Sequence, residues 1–305
     1  MKKSFLFSGQ GSQYPAMGAE LAERYSACGR ILECGSDIMG FDLLKKLNGS
    51  TAEELAQTVL SQPAIFTVSL LALTAARENG IENDCVAGHS LGEYAAMYAS
   101  GMLELEDAFK AIKLRAESMS RAAANAKGAM AAVIGCDNAS LEDVCRNVHG
   151  FCAPANYNSP VQTVIAGEEQ AVDEAVKVLA DMGKRSVRLA VSAAFHTKLM
   201  QPAADEFKEQ IKDMVFKAPD CDFYSNLLGG RLDDFSNMPD YLARHICSPV
   251  KFVDELNAMR DAGIEAFIEL GPNHVLTGLV KKTLRGATAV NIENNESMQK
   301  ALAAL

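Results

Sequence analysis

The feature that most constrains this chain is Gly88-His89-Ser90-Leu91-Gly92, a G-x-S-x-G pattern between a short apolar run and a helical pattern. The run Cys85-Val86-Ala87 predicts a buried strand, and residues 93–99 predict a helix that begins directly after the second glycine. So sharp a turn leaves no room for side chains at its glycines, and it presents the serine hydroxyl at the edge of a sheet. The pattern predicts an α/β fold with a nucleophilic serine, and an inert structural turn is the alternative.

Other segments extend this α/β reading along the chain. The run Ser4–Ser8 predicts a first strand, which ends in the glycine-rich loop Gly9-Gln10-Gly11-Ser12-Gln13. Helical spacing predicts helices at 16–35, 105–125 and 198–214, and Pro63 is expected to open another. A strand at 266–270 stops at Gly271-Pro272 and precedes a final helix at 274–285.

The segment from 127 to 194 differs in character and predicts an inserted subdomain. Its pattern reads strand 130–134, helix 139–148, strand 161–166, helix 168–182 and strand 186–189. A β-α-β-α-β run of this size is typical of a compact ferredoxin-like unit. We therefore expect a discontinuous α/β-hydrolase-like domain with a parallel sheet over 1–126 and 195–305, and a small ferredoxin-like subdomain over 127–194.

Composition and charge exclude several functional classes. Hydrophobic residues make up 49% of the 305 residues, which is ordinary for a chain with a buried core. A net charge of −10 disfavours nucleic acid and anionic membrane as partners. The N-terminal apolar stretch is too short for a signal peptide, and the apolar run 63–76 is too short to span a bilayer. We expect a soluble, cytoplasmic protein that does not bind membranes.

A nucleophilic serine needs a base, and the chain has five histidines. His196 follows a loop of small residues downstream of Ser90, in the order that this strand–turn–helix class shows. A lone histidine is more often structural, so spacing alone ranks His196 first only weakly. His89 is adjacent to Ser90, but neighbouring side chains diverge from a tight turn, which favours a packing role.

Several short segments, spread over essentially the whole chain, match the pattern of a known family. The chain resembles the malonyl-CoA:acyl carrier protein transacylases and the related acyltransferase domains of fatty-acid and polyketide synthases. The matching segments, in family order, are 7–13, 61–64, 88–94, Arg115 within a helix, 128–133, 156–160, 194–196, 248–250 and 269–272.

The resemblance implies a ping-pong acyl transfer with malonyl-CoA and acyl carrier protein as substrates. Ser90 would attack the thioester with His196 as general base, and the backbone N–H groups of Gln10 and Leu91 would form the oxyanion hole. It also implies that no cofactor is needed. The Cys and His residues lack the spacing of metal ligands, so we expect no metal, and we expect a monomer.

Five further residues are expected to bind the substrate. The Arg115 guanidinium would bind the free malonyl carboxylate, and the Phe195 ring would leave little room for a methyl branch. Gln62 is expected to line the site, and His89 and Asn158 complete the set. Asn158 and Asn156 stand in a predicted loop, where a turn role is the alternative.

Two positions depart from the family pattern. Ser8 replaces the proline of the usual Phe-Pro-Gly-Gln-Gly loop, and we expect a small effect because Gln10 is retained. His245 stands where the family often has a glutamine whose backbone carbonyl orients the catalytic histidine. The carbonyl survives the change of side chain, so we expect a Ser–His pair with a carbonyl orienter.

Three alternatives stay open. A serine hydrolase or thioesterase would use the same elbow, a trans-acting acyltransferase of a polyketide synthase shares every motif, and an idle docking subunit would have lost the chemistry. Because coenzyme A and carrier proteins are acidic, an acidic enzyme is expected to recruit them through local basic patches. The two candidates are Lys184, Arg185 and Arg188, and Lys281, Lys282 and Arg285.

Overall fold

The computed structural model describes residues 1–305 as two sheets surrounded by helices. The strands are β1 Lys2–Phe7, β2 Cys85–Gly88, β3 Ala129–Ile134, β4 Cys152–Ser159, β5 Gln162–Gly167, β6 Arg185–Arg188, β7 Asp222–Ser225, β8 Gly230–Arg231, β9 Ile264–Leu270 and β10 Thr288–Ile292. The helices are α1 Ala19–Arg24, α2 Cys28–Met39, α3 Leu43–Gly49, α4 Ala52–Ala56, α5 Thr58–Glu78, α6 Gly92–Ala99, α7 Leu105–Asn125, α8 Asn138–Asn147, α9 Glu169–Asp181, α10 Gln201–Gln210, α11 Met238–Cys247, α12 Phe252–Asp261, α13 Val275–Thr283 and α14 Asn295–Ala304.

The larger sheet places three predicted loops at one edge. Its order is β10-β9-β1-β2-β7-β8, and only β8 runs antiparallel to its neighbour. Phe7 pairs with both Gly88 and Leu270, so β1, β2 and β9 end level with one another. The glycine-rich loop, the Ser90 turn and Gly271-Pro272 therefore meet at the carboxyl edge of the sheet, where ligands bind in open α/β folds.

The second sheet is antiparallel, with the order β4-β5-β3-β6, and α8 and α9 cover one of its faces. Its opposite face joins the main core, because Met130, Ala132 and Val164 belong to the same cluster of 63 buried apolar residues as β1 and α5. The predicted α/β class, with a parallel sheet and a separate small sheet, is confirmed. The division into units at 127 and 194 stays a prediction.

The inserted segment contains one strand more than its pattern indicated. β4 lies where a loop was expected, so its order is β-α-β-β-α-β. Two register shifts break the alternation of buried residues along β4, at Pro154/Asn156 and at Tyr157/Ser159. A strand with bulges, a proline and two asparagines gives no period-2 signal, and Pro154 is tolerated because β4 is an edge strand.

Three helix predictions were also wrong, two in where a helix begins or ends and one in its place along the chain. The pattern over 16–35 is two helices, because the chain becomes extended at Tyr25, whose hydroxyl accepts a hydrogen bond from Asn79. Pro63 lies inside α5, which begins at Thr58, and so does not open it. The helix at 274–285 is not the last element, since β10 and α14 follow it.

Helix α5 is the one helix long and apolar enough to cross a membrane by length and composition. Its most apolar window is 83% buried inside the protein, where it packs against α2 and α7. This burial is what a core helix shows, and the helix is longer than its apolar run because polar residues at both ends extend it.

Candidate active site

Ser90 occupies the strained turn that the sequence predicted. Its φ is +54°, a region that residues with a Cβ seldom adopt. A Cβ on Gly88 would lie 2.1 Å from the carbonyl carbon of Gly92, and one on Gly92 would lie 2.1 Å from the carbonyl oxygen of Phe7. Both glycines are thus required by backbone contacts, and the turn holds the Ser90 hydroxyl at the start of α6.

His196 is in hydrogen-bond contact with Ser90. Its Nε2 lies 2.7 Å from the Ser90 Oγ, and its backbone also has a positive φ, +59°. Its Nδ1 donates to the backbone carbonyls of His245 and Ser248, at 3.1 and 3.2 Å. Because Nδ1 carries the proton, Nε2 is free to accept the proton of the serine hydroxyl. No carboxylate contacts the ring, so the arrangement is a Ser–His pair with carbonyl orienters.

Electrostatics keep His196 neutral. Burial lowers the pKa of His196 to about 3, and the positive charge of Arg115 and the His89 ring add to this shift. The two carbonyls that accept from Nδ1 oppose the shift without cancelling it. A neutral imidazole is the form that can accept a proton, as a general base must.

Arg115 projects from α7 to the same point. Its Nη2 donates to the Ser90 Oγ at 3.0 Å, and its Nη1 donates to the Gln62 Oε1 at 2.7 Å. The residue is 1% exposed, its Nε has no hydrogen-bond partner, and its guanidinium lies 5.5 Å from the centre of the Tyr94 ring. A buried guanidinium without a carboxylate partner is costly, which suits a site that receives an anionic ligand.

Gln62 is hydrogen-bonded to Arg115 but lies outside the cavity lining. It is fully buried and does not border the cavity, so the structure does not place it as a lining residue. Its Oε1 is the only protein acceptor that Nη1 contacts, and this bond fixes the plane of the guanidinium. Burial lowers the pKa of Arg115, but a guanidinium stays charged at neutral pH.

The comparisons with known proteins agree with this geometry. Residues 4–301 match the family model described as acyl transferase domain. The malonyl CoA-acyl carrier protein transacylase of Bacillus subtilis is 36% identical over 308 residues, which cover 100% of this chain and 97% of the relative. This chain belongs to the acyl transferase family.

Solved structures of the family have the same fold. The crystal structure of MCAT from Streptococcus pneumoniae is 37% identical, with a TM-score of 0.94 and 100% of each chain covered. A malonyl-transacylase in complex with its type II PKS acyl-carrier protein is 32% identical, with a TM-score of 0.95 and 99% of each chain covered. The predicted resemblance to this acyltransferase family is therefore confirmed.

In this acyltransferase, two backbone N–H groups at the carboxyl edge of the larger sheet have no protein partner. They belong to Gln10, in the glycine-rich loop, and to Leu91, which follows the nucleophile. Gln10 borders the cavity that contains Ser90, whereas the Leu91 side chain is fully buried in the core. Unpartnered backbone donors in the glycine-rich loop and directly after Ser90 agree with the expected oxyanion hole, which stays a prediction.

The cavity of the acyltransferase lies between the two sheets and measures about 330 Å³. Ser90, His196, Arg115 and Phe195 all border it. The small sheet supplies much of the opposite wall. Two lining residues, Gln162 on β5 and Val275 at the start of α13, were not predicted from the sequence. Neither has a local motif, and the folding of β5 and α13 against the elbow brings them to the cavity.

His89 and Asn158 both border the cavity and contact each other. The His89 Nε2 lies 2.8 Å from the Asn158 Oδ1, and the ring packs edge-on against Phe252 at 5.4 Å between centres. Burial lowers the pKa of His89. Asn156 also lines the cavity, and both asparagines lie on β4, not in the expected loop.

Ser8 has a definite contact in this chain. Its Oγ lies 3.3 Å from the Glu269 Oε1 and 3.4 Å from the Pro272 carbonyl oxygen. Glu269 also accepts the backbone N–H groups of Leu276 and Thr277 at the start of α13. The serine thus connects the glycine-rich loop to α13 through Glu269.

Proposed function

We propose that this acyltransferase moves the malonyl group of malonyl-CoA to the phosphopantetheine thiol of an acyl carrier protein, through a malonyl ester of Ser90. The names of the full-length relatives support these substrates. The Ser90–His196 pair, the unpartnered N–H groups and the buried cation support this chemistry.

In the first half-reaction, His196 Nε2 takes the proton of the Ser90 hydroxyl as Oγ attacks the thioester carbonyl. The N–H groups of Gln10 and Leu91 stabilise the oxyanion that forms. The intermediate collapses to the serine ester, and the coenzyme A sulfur leaves with the proton from His196. The carrier thiol then gives its proton to His196 as its sulfur attacks the ester carbonyl. When this second intermediate collapses, the bond to the Ser90 Oγ breaks and His196 returns the proton to Oγ. The exchange of one thiol for another is redox-neutral and needs no cofactor.

The observation that carries the proposal is the position of Arg115. One methylene separates the free carboxylate of a malonyl group from its reacting carbonyl. A cation that binds this carboxylate must therefore lie close to the nucleophile, and Arg115 Nη2 is 3.0 Å from the Ser90 Oγ. Acetyl groups lack the carboxylate and would leave the buried guanidinium uncompensated.

Phe195 bears on the α-carbon of the bound acyl group. It precedes His196, is 7% exposed and borders the cavity beside Ser90. A ring at this place leaves little space for a methyl branch, a discrimination of about 1–3 kcal/mol. We assign substrate contacts to His89 and Asn158 as well, because both border the cavity.

Mass spectrometry of the intact protein tests the proposal. Incubation with malonyl-CoA should add one malonyl group, and the adduct should be absent in Ser90→Ala. Ser100→Ala is the matched control, since Ser100 is a buried serine whose hydroxyl bonds only to backbone carbonyls of α6. An absent adduct in the unaltered protein, or one that survives Ser90→Ala, would contradict it. Rapid release of free malonate without carrier would indicate a hydrolase.

A carrier from polyketide synthesis is the second candidate acceptor. The structural relative that is bound to a type II PKS acyl-carrier protein, at 32% identity, favours testing it. Single-turnover transfer from the malonylated enzyme to a fatty-acid carrier and to a polyketide carrier would decide between them. A tenfold preference for either carrier would identify the acceptor class.

For carrier docking, α13 is the better of the two basic patches. Lys281, Lys282 and Arg285 are exposed and make no ion pair, and α13 begins at Val275 on the cavity rim. In the other patch, Arg188 pairs with Glu169 and Asp173, which offset its charge, and only Lys184 and Arg185 are left without an ion pair. We infer that the acidic carrier contacts the α13 patch, with the enzyme acting as a cytoplasmic monomer.

A further inference from the structure

The side-chain amide of Asn226 is buried beside the backbone of Ser90. Asn226 follows β7, the parallel neighbour of β2, so the chain places it beside the Ser90 turn although 136 residues separate the two. The residue is fully buried, and its Oδ1 accepts the backbone N–H of Ser90 at 2.7 Å. Its Nδ2 donates to the Gly88 carbonyl at 2.7 Å and to the Glu255 Oε2 at 2.6 Å.

These contacts fix which way the amide faces. The Ser90 N–H is a donor and the Gly88 carbonyl is an acceptor, so the side chain fits in one orientation only. It spans the residues on both sides of His89 and closes the turn in which Ser90 has a φ of +54°. A non-glycine residue in this region is strained and persists only when surrounding contacts hold it.

His245 connects this amide to the catalytic base. Its Nε2 lies 3.3 Å from the Asn226 Oδ1, which can only accept, so the ring donates from Nε2. The other ring nitrogen has no partner, which fits a neutral ring. The backbone carbonyl of the same residue accepts from His196 Nδ1 at 3.1 Å. The backbone carbonyl of His245 therefore contacts His196. The His245 side chain is linked to the backbone of Ser90 through the Asn226 amide.

Two acids hold Asn226 from its other sides. Glu93 Oε1 accepts the Asn226 backbone N–H at 2.6 Å, while Glu93 Oε2 accepts from the Tyr241 hydroxyl at 2.8 Å. Burial raises the pKa of Glu93 to about 8 and raises that of Glu255 well above its usual range. Neither acid is hydrogen-bonded to Arg115, and together they fix the backbone and the side chain of Asn226.

We propose that Asn226 is a positioning residue for acyl transfer, and that His245 aligns the nucleophile with its base through the Asn226 side chain. This inference rests on the proposed function for its substrate but not for its geometry. Asn226 holds the Ser90 turn so that Oγ faces His196 and the Leu91 N–H stays free for the oxyanion. Misplacement of a reacting group by about 1 Å lowers rates by about 100-fold.

The test measures how fast a fluorophosphonate probe labels Ser90, and to what final stoichiometry. In Asn226→Ala, the rate constant should fall about 100-fold while labelling still reaches one probe per chain. The matched control is Asn79→Ala, which removes a partly buried amide that bonds to the Tyr25 hydroxyl and the Ala75 carbonyl away from the cavity. Its rate constant should match that of the unaltered protein.

A second pair of variants keeps the test decisive if Asn226→Ala does not fold. His245→Leu retains the carbonyl and removes the ring donor, so labelling should slow about tenfold. His245→Gln restores an N–H donor and should recover most of the rate. Labelling of Asn226→Ala or His245→Leu within threefold of the unaltered rate overturns the proposal. So does a lower stoichiometry at an unchanged rate, which would show a structural role only.

Malonylation by malonyl-CoA, followed in parallel, separates this inference from the proposed function. The malonylation rate constant of Asn226→Ala should fall with the labelling rate, and the half-saturating malonyl-CoA concentration should stay within threefold because Arg115 is untouched. If the unaltered protein reacts with the probe but not with malonyl-CoA, the proposed function fails, and the probe rates still decide the role of Asn226.

Discussion

Replacing Arg115 should change which acyl group the enzyme accepts. In Arg115→Ala, the malonyl carboxylate loses a fork of two charge-assisted hydrogen bonds. Each such bond contributes about 1.5–3 kcal/mol, so the pair amounts to about 3–6 kcal/mol. At about 1.4 kcal/mol per factor of ten, this corresponds to a loss of about 10² to 10⁴ in kcat/KM for malonyl-CoA. Water that enters the truncated site solvates the carboxylate in part, so we expect about 100-fold.

Acetyl-CoA offers the contrast, because it has no carboxylate to lose. Its transfer should change much less, so the malonyl-to-acetyl ratio of kcat/KM should fall by nearly the whole factor. Arg115→Lys should lie between the two, since an ammonium keeps the charge but not the planar fork. The assay is the rate of Ser90 acylation by each CoA ester, followed by intact mass in single turnover.

Arg121→Ala is the matched control, because Arg121 lies on the same helix with 49% of its side chain exposed and pairs with Glu206. It should leave both rates unchanged. An equal loss for malonyl-CoA and acetyl-CoA in Arg115→Ala would refute the reasoning. It would show that Arg115 acts on the Ser90 hydroxyl and not on the carboxylate.

Three other measurements test the site. Gly88→Ala forces a Cβ to within 2.1 Å of the Gly92 backbone, so the free energy of unfolding in urea should fall by about 1–3 kcal/mol, and acylation should be lost. A pKa of about 3 keeps His196 neutral, so the acylation rate should stay level between pH 6.5 and 5, where a histidine with its usual pKa would lose about 15-fold. Lys281→Glu/Lys282→Glu should raise the KM for the carrier severalfold at low salt and leave malonylation by malonyl-CoA intact.

Each of these three measurements has a control variant or a result that would contradict it. Gly29→Ala meets no atom within 4 Å in an exposed part of α2, so it should be neutral or stabilising. A rate that falls in proportion to histidine protonation around pH 6.5 would show that His196 titrates normally. Arg188→Glu alters a charge that is already paired, so an equal effect on the carrier KM would contradict docking at α13.

Most local elements of the fold were predictable because neighbours in sequence determine them. The helix over 105–125 lies where its apolar spacing predicted. The Ser90 turn has the strained backbone that the two flanking glycines indicated. β4 was missed because bulges hide its alternation, and α14 was missed because its apolar pattern is weak. Pro63 was expected to open α5, but the helix begins five residues before it, at Thr58.

The sequence by itself predicted the Ser90 turn, since a Cβ on Gly88 would meet the backbone of Gly92 within the same five-residue motif. Only the tertiary structure decided what surrounds that group. Gln62 proved to support Arg115 and not to line the cavity, and Asn226 reached the elbow because β7 pairs with β2. Hydrogen bonds between distant segments form only where strands align them, and short strands leave no periodic signal of that alignment.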